Sequence, residues 1–288
     1  MMSVVFQEFL GDLGKPVRSF PPGLRETYSE MMESFRSDNA TRGFDRLNTK
    51  DGSEDRTPLG VAHRMYWWFP THFFKFQESL LLWEEQCRRS NTPFLLDRPK
   101  VTFVDLGCGA GAASAAILAI LEQYQCFRRA RNLLVDPIEV RLVGLDRVAA
   151  ELVTYEALIG SYADRIRRHR VAVCIETLQG EFPSETSELI QTLSHLQGHT
   201  VVVGMSNLIN WIWKEYDEYL SQKRLAEAAK LTPVESKALR LLAEQLTFDY
   251  FHVIGIAVKT RRYWHLPRKL EHFFSRLLAA LKLARRPF

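Results

Sequence analysis

The sequence predicts an α/β protein: a doubly wound, mostly parallel sheet with helices on both faces and a helical extension at the N-terminus. Three observations carry that expectation. Val101–Leu106 is a short apolar, β-rich run that passes into a cluster of glycines and then into the helix-forming run Ala112–Leu118, which reads as strand, tight turn and helix. Similar apolar runs return at 140–145, 171–178, 200–205 and 251–258 with helical composition between them, the alternation that parallel strands with helical crossovers require. The first hundred residues instead show helical periodicity around one polar stretch. The expected division is 1–98 as a helical extension or lid, 99–265 as the sheet domain, and 266–288 as a basic amphipathic helix.

With 46% hydrophobic and 25% charged residues among 288, the chain can bury a substantial core. Its first residues carry no basic segment followed by an apolar run. No later stretch approaches the ~18 consecutive apolar residues of a membrane span, so a cytoplasmic protein is expected. Cys87, Cys108, Cys126 and Cys174 are scattered without a C-x-x-C pair, which supports neither a disulfide framework nor a metal centre. Reduced and mostly buried thiols are expected.

In the N-terminal third, Leu24, Tyr28, Met31 and Phe35 recur at helical spacing after Pro21-Pro22-Gly23 and mark an amphipathic helix. Ser37 to Arg56 is polar and rich in Gly, Asn and Asp, and reads as an exposed loop. Thr57-Pro58 is a cap residue followed by proline at the first helical position, so a helix starts there, and Pro70 is expected to interrupt it. Phe73, Phe76, Leu80, Trp83 and Cys87 then share one helical stripe. The run from His63 to Phe74 is unusually aromatic. Packing on the sheet accounts for such a stripe, and so does a substrate slot in which His63, Tyr66 and Trp67 meet a flat acceptor. Neither His63 nor His72 has a partner at metal-ligand spacing.

The turn after the first strand is where chemistry is expected. Gly107, Gly109 and Gly111 permit positive φ and a close ligand approach, and the helix behind them offers N–H groups without helical acceptors. Gly107, Gly109 and Ala112 also fit G-x-G-x-x-G/A, which leaves a dinucleotide and an NAD-dependent oxidoreductase open. Asp105 argues against them, because a carboxylate at the strand end repels a pyrophosphate and attracts a cationic amino-acid moiety. Forty-one residues separate Asp105 from Asp146, the acid at the end of the second strand, more than the ~20-residue step of a compact dinucleotide fold.

The run Asp105-Leu106-Gly107-Cys108-Gly109-Ala110-Gly111 resembles the D/E-x-G-x-G-x-G motif of class I S-adenosylmethionine-dependent methyltransferases. The resemblance spans Val101 to Trp211. It implies a Rossmann-like sheet, S-adenosylmethionine as cofactor, and cofactor contacts from Asp105, Gly107, Cys108, Gly109 and Gly111. It further implies that Asp146, with its neighbour Arg147, meets the adenosine ribose. The turn Gly180-Glu181-Phe182 is similar to the family's G-D-x turn, which implies that Glu181 lies near the adenine amino group; Glu176 competes if the third strand ends early. Ser206, Asn207 and Asn210, on and beyond the fourth strand, are placed to face cofactor or acceptor. Their surroundings lack the D/N-P-P-Y/F signature of many amino-group methyltransferases. The approach Val61–Phe73 is also similar to methyltransferase-like proteins of the small mitochondrial ribosomal subunit and their bacterial relatives, without that family's clustered cysteines.

No residue stands out as a general base. The acceptor is a small molecule, for which the aromatic run speaks, or RNA, for which the C-terminus speaks: residues 259–288 hold nine Lys and Arg against Glu271 alone. Leu270, Phe273, Phe274, Leu277, Leu278 and Leu281 have helical spacing there, which fits a basic amphipathic helix or a last core helix. A binding or assembly module without turnover is the alternative to an enzyme.

Overall fold

Five strands pair in parallel in the order β3-β2-β1-β4-β5 in the computed structural model of the chain. They are β1 (Lys100–Leu106), β2 (Ile138–Asp146), β3 (Val171–Gln179), β4 (Thr200–Ser206) and β5 (Tyr250–Ile256). The structure describes residues 4–13, 19–37, 56–89, 94–194, 196–206, 238, 241–242, 244–246, 248 and 250–256. The loop expected at Ser37 to Arg56 lies, but for its two ends, outside these residues, as do Asn207, Asn210 and the basic segment 259–288.

The helices are α1 (Val4–Leu13), α2 (Pro22–Ser37), α3 (Pro58–Trp67), α4 (Phe69–Arg89), α5 (Ala112–Ala130), α6 (Ala149–Ile166) and the short α7 (Thr186–Thr192). Strand register divides the core into two layers. Phe103 pairs with Leu142 and Val202, and these three pack with α4, α5 and α6. The next residue, Val104, pairs with Val143 and Val203, and that face packs against Leu189, Leu193 and Leu196 with Ala238, Leu242 and Leu246. The sheet is therefore doubly wound, as an alternation of largely apolar strands and helices demands. Phe6, Phe9, Leu24, Val61 and Met65 belong to the same hydrophobic cluster as α5 and α6, so the N-terminal helices share the sheet's core.

Local chemistry explains the helix boundaries. The Thr57 side chain accepts from the Gly60 N–H with Pro58 at the first helical position, as expected. Pro70 does not interrupt the helix: the break falls between Trp67 and Phe69, and Pro70 sits in the first turn of α4, where a missing N–H costs nothing. The helix expected near Ser187 to Leu196 is shorter, closing at Thr192. Phe73, Phe76, Leu80 and Cys87 are buried on one stripe of α4, and Phe76 meets Phe103 edge to face at 5.7 Å. Glu84, 1% exposed, accepts from Arg88 one turn on at 2.6 Å and ties α4 to the approach to β1 by accepting from the Leu95 N–H at 2.8 Å. All four cysteines are free; Cys87 and Cys108 are buried, but Cys174 is exposed and Cys126 only partly covered, so the expectation of mostly buried thiols holds for two. Among the described residues no helix is long and apolar enough to cross a membrane.

Gly204 in β4 makes room for the α4 seam: a Cβ there would stand 2.5 Å from Phe103 Cζ and 2.8 Å from Phe76 Cζ. Gly204→Ala is expected to destabilise the protein by about 1–3 kcal/mol through overpacking, measured by denaturant unfolding. An unchanged midpoint would mean that β4 does not sit against these rings.

Candidate functional site

The chain leaves β1 at the topological switch point, since β2 lies on one side and β4 on the other. Beyond this edge the loop Gly107–Gly111 turns with positive φ at Gly107 (69°), Gly109 (50°) and Gly111 (89°). The N–H groups of Gly107 and Cys108 both donate to the Leu145 carbonyl, at 2.8 and 3.0 Å, which fastens the loop to the end of β2. Gly111 serves packing as well as conformation. A Cβ there would come within 2.9 Å of both Tyr155 and Ile159 of α6. Gly109 differs, because its nearest neighbour would be Glu151 Oε2 at 3.8 Å, an ordinary contact.

Three carboxylates surround this loop. Asp105 is completely buried: its Oδ2 accepts from the Ser114 hydroxyl at 2.7 Å and N–H at 3.2 Å, and the same hydroxyl meets Tyr155 Oη at 2.9 Å. Oδ1 has no hydrogen-bond partner among the described residues. Burial pushes the carboxyl up to about 7, against the Ser114 bonds, with Asp146 adding to the rise. Asp146 accepts from the Gly109 N–H through one oxygen and from the Val148 N–H through the other, both at 2.9 Å. It thus joins the loop to the start of α6, and each oxygen keeps a second lone pair. Glu151, in the first turn of α6 and 3% exposed, pairs through Oε1 with Arg64 of α3. Its Oε2 has no hydrogen-bond partner among the described residues, and burial lifts this carboxyl also to about 7, opposed by Arg64. The buried Cys108 thiol is raised well above its ordinary value by desolvation and by all three acids.

The remaining expected residues are distributed around the same rim. The Gly180 N–H donates to the Asp146 carbonyl at 3.0 Å, which brings Glu181 to the loop's end of the sheet, where it forms a solvent-screened pair with Arg147 at 3.7 Å. Glu176 lies mid-strand and is bound by Arg141 at 2.7 and 2.9 Å, so it does not compete for that position. Ser206 closes β4 at the crest. The aromatic run divides: His63 is buried, whereas Tyr66, Trp67 and Trp68 are exposed on the corner between α3 and α4, one turn beyond Arg64. His72 is buried and burial depresses it to about 4, a neutral imidazole. No group of His, Cys, Asp and Glu among the described residues could hold a metal.

Sequence reasoning passed over Glu151 and Arg64. The signal available was an acid in the first turn of the helix after Asp146; Arg64 was hidden among the aromatics. No protein-family model matches the sequence, and comparison with curated proteins finds no match.

Asp105 makes a sign-definite forecast. With its carboxyl raised from 3.8 to about 7, folding favours the protonated acid, so this residue's contribution is fully present below pH ~4 and is lost as pH rises through about 7. Asp105→Asn keeps an oxygen for Ser114 and loses the titration. The variant's melting temperature relative to wild type is expected to climb between pH 4 and 7 and to level off above. A difference independent of pH would show that Asp105 ionises in the fold as easily as in the open chain.

Proposed function

We propose that this chain is an S-adenosylmethionine-dependent methyltransferase whose cofactor lies at the loop Gly107–Gly111. The supporting observation is electrostatic: Asp105, Asp146 and Glu151 crowd a glycine loop at the switch point of a parallel sheet. A helix N-terminus of this kind is a favourable place for a pyrophosphate. Three acids beside it work against that preference and suit a ligand carrying an ammonium and a sulfonium, whose positive charge in turn favours the ionised form of Asp105 and Glu151. The same argument disfavours an NAD-dependent oxidoreductase.

Bound there, the cofactor supplies a methyl group on a sulfonium, for in-line displacement by a nucleophile of the acceptor. The chain's residues bind and orient. Gly109 leaves the approach open, the free lone pairs of Asp146 suit ribose hydroxyls, and the buried acids balance positive charge. The exposed rings of Tyr66 and Trp67 offer faces to a flat acceptor. Alignment of this kind is worth about 7–11 kcal/mol in favourable cases.

A second reading, a cofactor-binding or assembly module without turnover, draws on the commitment of Asp105 to Ser114 and of Asp146 to two backbone N–H groups. Product formation from an offered acceptor distinguishes it from an enzyme.

Calorimetry is expected to detect S-adenosylmethionine and S-adenosylhomocysteine and not NAD. Gly109→Ala is expected to abolish that binding by filling the approach, with only about 1–2 kcal/mol of stability lost to the left-handed backbone. Gly111→Ala, which collides with Tyr155 and Ile159, is expected to lower the melting temperature further. NAD binding with neither sulfur compound bound would overturn the proposal.

A further inference from the structure

The three acids at the loop are not equivalent. Asp105 is enclosed and gives one oxygen to Ser114, and Asp146 is engaged by two backbone N–H groups. Among the described residues Glu151 alone of the three has no bond to the backbone through its carboxylate, and its Oε2 stands 3.8 Å from the vacant Cβ position of Gly109. Its other oxygen is held by Arg64, which arrives from α3, outside the strand-loop-helix unit.

A buried ion pair contributes little net stability over an apolar pair of the same shape, because desolvation of both charges offsets their attraction. This pair stands against the glycine loop, at Gly109. A base and an acid side by side, with one buried carboxylate oxygen unpaired among the described residues, complement a group that carries both charges on one carbon, an α-amino acid. We propose that Arg64 and Glu151 recognise the zwitterionic amino-acid end of the cofactor, with Glu151 Oε2 accepting from the α-ammonium and the Arg64 guanidinium donating to the α-carboxylate. The assignment rests on the methyl-transfer reading for the identity of the ligand. It makes the N-terminal helices part of the binding site and gives Asp105 a structural role.

The test compares two probes by calorimetry: S-adenosylhomocysteine, and 5′-deoxy-5′-methylthioadenosine, which keeps the nucleoside and thioether and lacks the amino-acid end. Wild type is expected to favour the first. Glu151→Gln and Arg64→Met are each expected to weaken S-adenosylhomocysteine by about tenfold or more, a change of ~1.4 kcal/mol, and to leave the nucleoside within about twofold. Retained nucleoside binding also reports that each variant folds. The exchange Arg64→Glu with Glu151→Arg restores an ion pair between α3 and α6; it is expected to recover the melting temperature and not the affinity for S-adenosylhomocysteine. Recovery of that affinity, or equal weakening of both probes in the single variants, would make the pair a structural clamp and overturn the assignment. Wild-type affinity for S-adenosylhomocysteine that no variant changes overturns this assignment alone. Folded wild type that binds neither probe overturns the cofactor reading and the assignment with it.

Discussion

One buried carboxylate holds the centre of this structure together. Asp105 is completely buried, and its Oδ2 takes both hydrogen bonds that Ser114 can offer, from hydroxyl and N–H. That joins β1 to the first turn of α5, whose N–H groups have no helical acceptors. The Ser114 hydroxyl extends the contact to Tyr155, and so to α6. Tyr155 in turn requires two glycines: a Cβ at Gly111 would meet its ring at 2.9 Å and one at Gly144 at 3.0 Å. The glycines of the loop and of β2 are thus explained in part by an aromatic ring and a carboxylate that must fit beneath them, before any ligand is considered. The arrangement is self-consistent, since removing one partner leaves a buried polar group unsatisfied.

This changes what the acid of the motif does. Read along the chain, Asp105 looks like a ligand for a cation; in space its Oδ2 also fastens two helices through Ser114 and Tyr155, and its charge acts on the loop at Cys108. On the proposed reading the direct contacts would fall to Asp146, at the end of β2, and Glu151, in the first turn of α6. Burial raises Asp105 and Glu151 alike to about 7, so the difference between them lies in partners: Asp105 is fastened to Ser114, and Glu151 to Arg64.

How much of this was legible depended on the range of the interactions. The strands, the glycine turn and the alanine-rich α5 could be read because each is specified within about twenty residues, by apolar runs, special backbone conformations and helix formers. The cap at Thr57 was readable for the same reason, and the break before Phe69 was misplaced because proline in the first helical turn looks identical in sequence to proline that ends a helix. Glu176 was a plausible site acid until its place at mid-strand and its bidentate pairing with Arg141 were known. Of the two readings of the aromatic run, packing holds for one face of the helices, where His63, Phe69 and Phe73 are buried, while Tyr66 and Trp67 are exposed. The pair of Arg64 with Glu151 spans 87 residues and has no local signature.

That long-range pair also constrains how the N-terminal helices behave. The α3 helix is not placed by Arg64 alone. Tyr28 of α2 donates to the Met65 carbonyl at 2.8 Å, and Arg165 of α6 pairs with Glu26 and Glu30 of α2 at 2.6 Å. These exposed pairs are individually weak, and the buried faces of Leu24, Val61 and Met65 supply most of the adhesion. If Arg64 takes part in ligand recognition, the docking of α2 and α3 on α6 and the occupation of the loop are linked, because a ligand that binds better when α3 is docked must stabilise the docked state by the same free energy. The exposed corner Tyr66–Trp68 is carried on that docked helix. Occupation of the loop would therefore also fix the aromatic faces that an acceptor meets, and the order of events at this site would run from cofactor to acceptor.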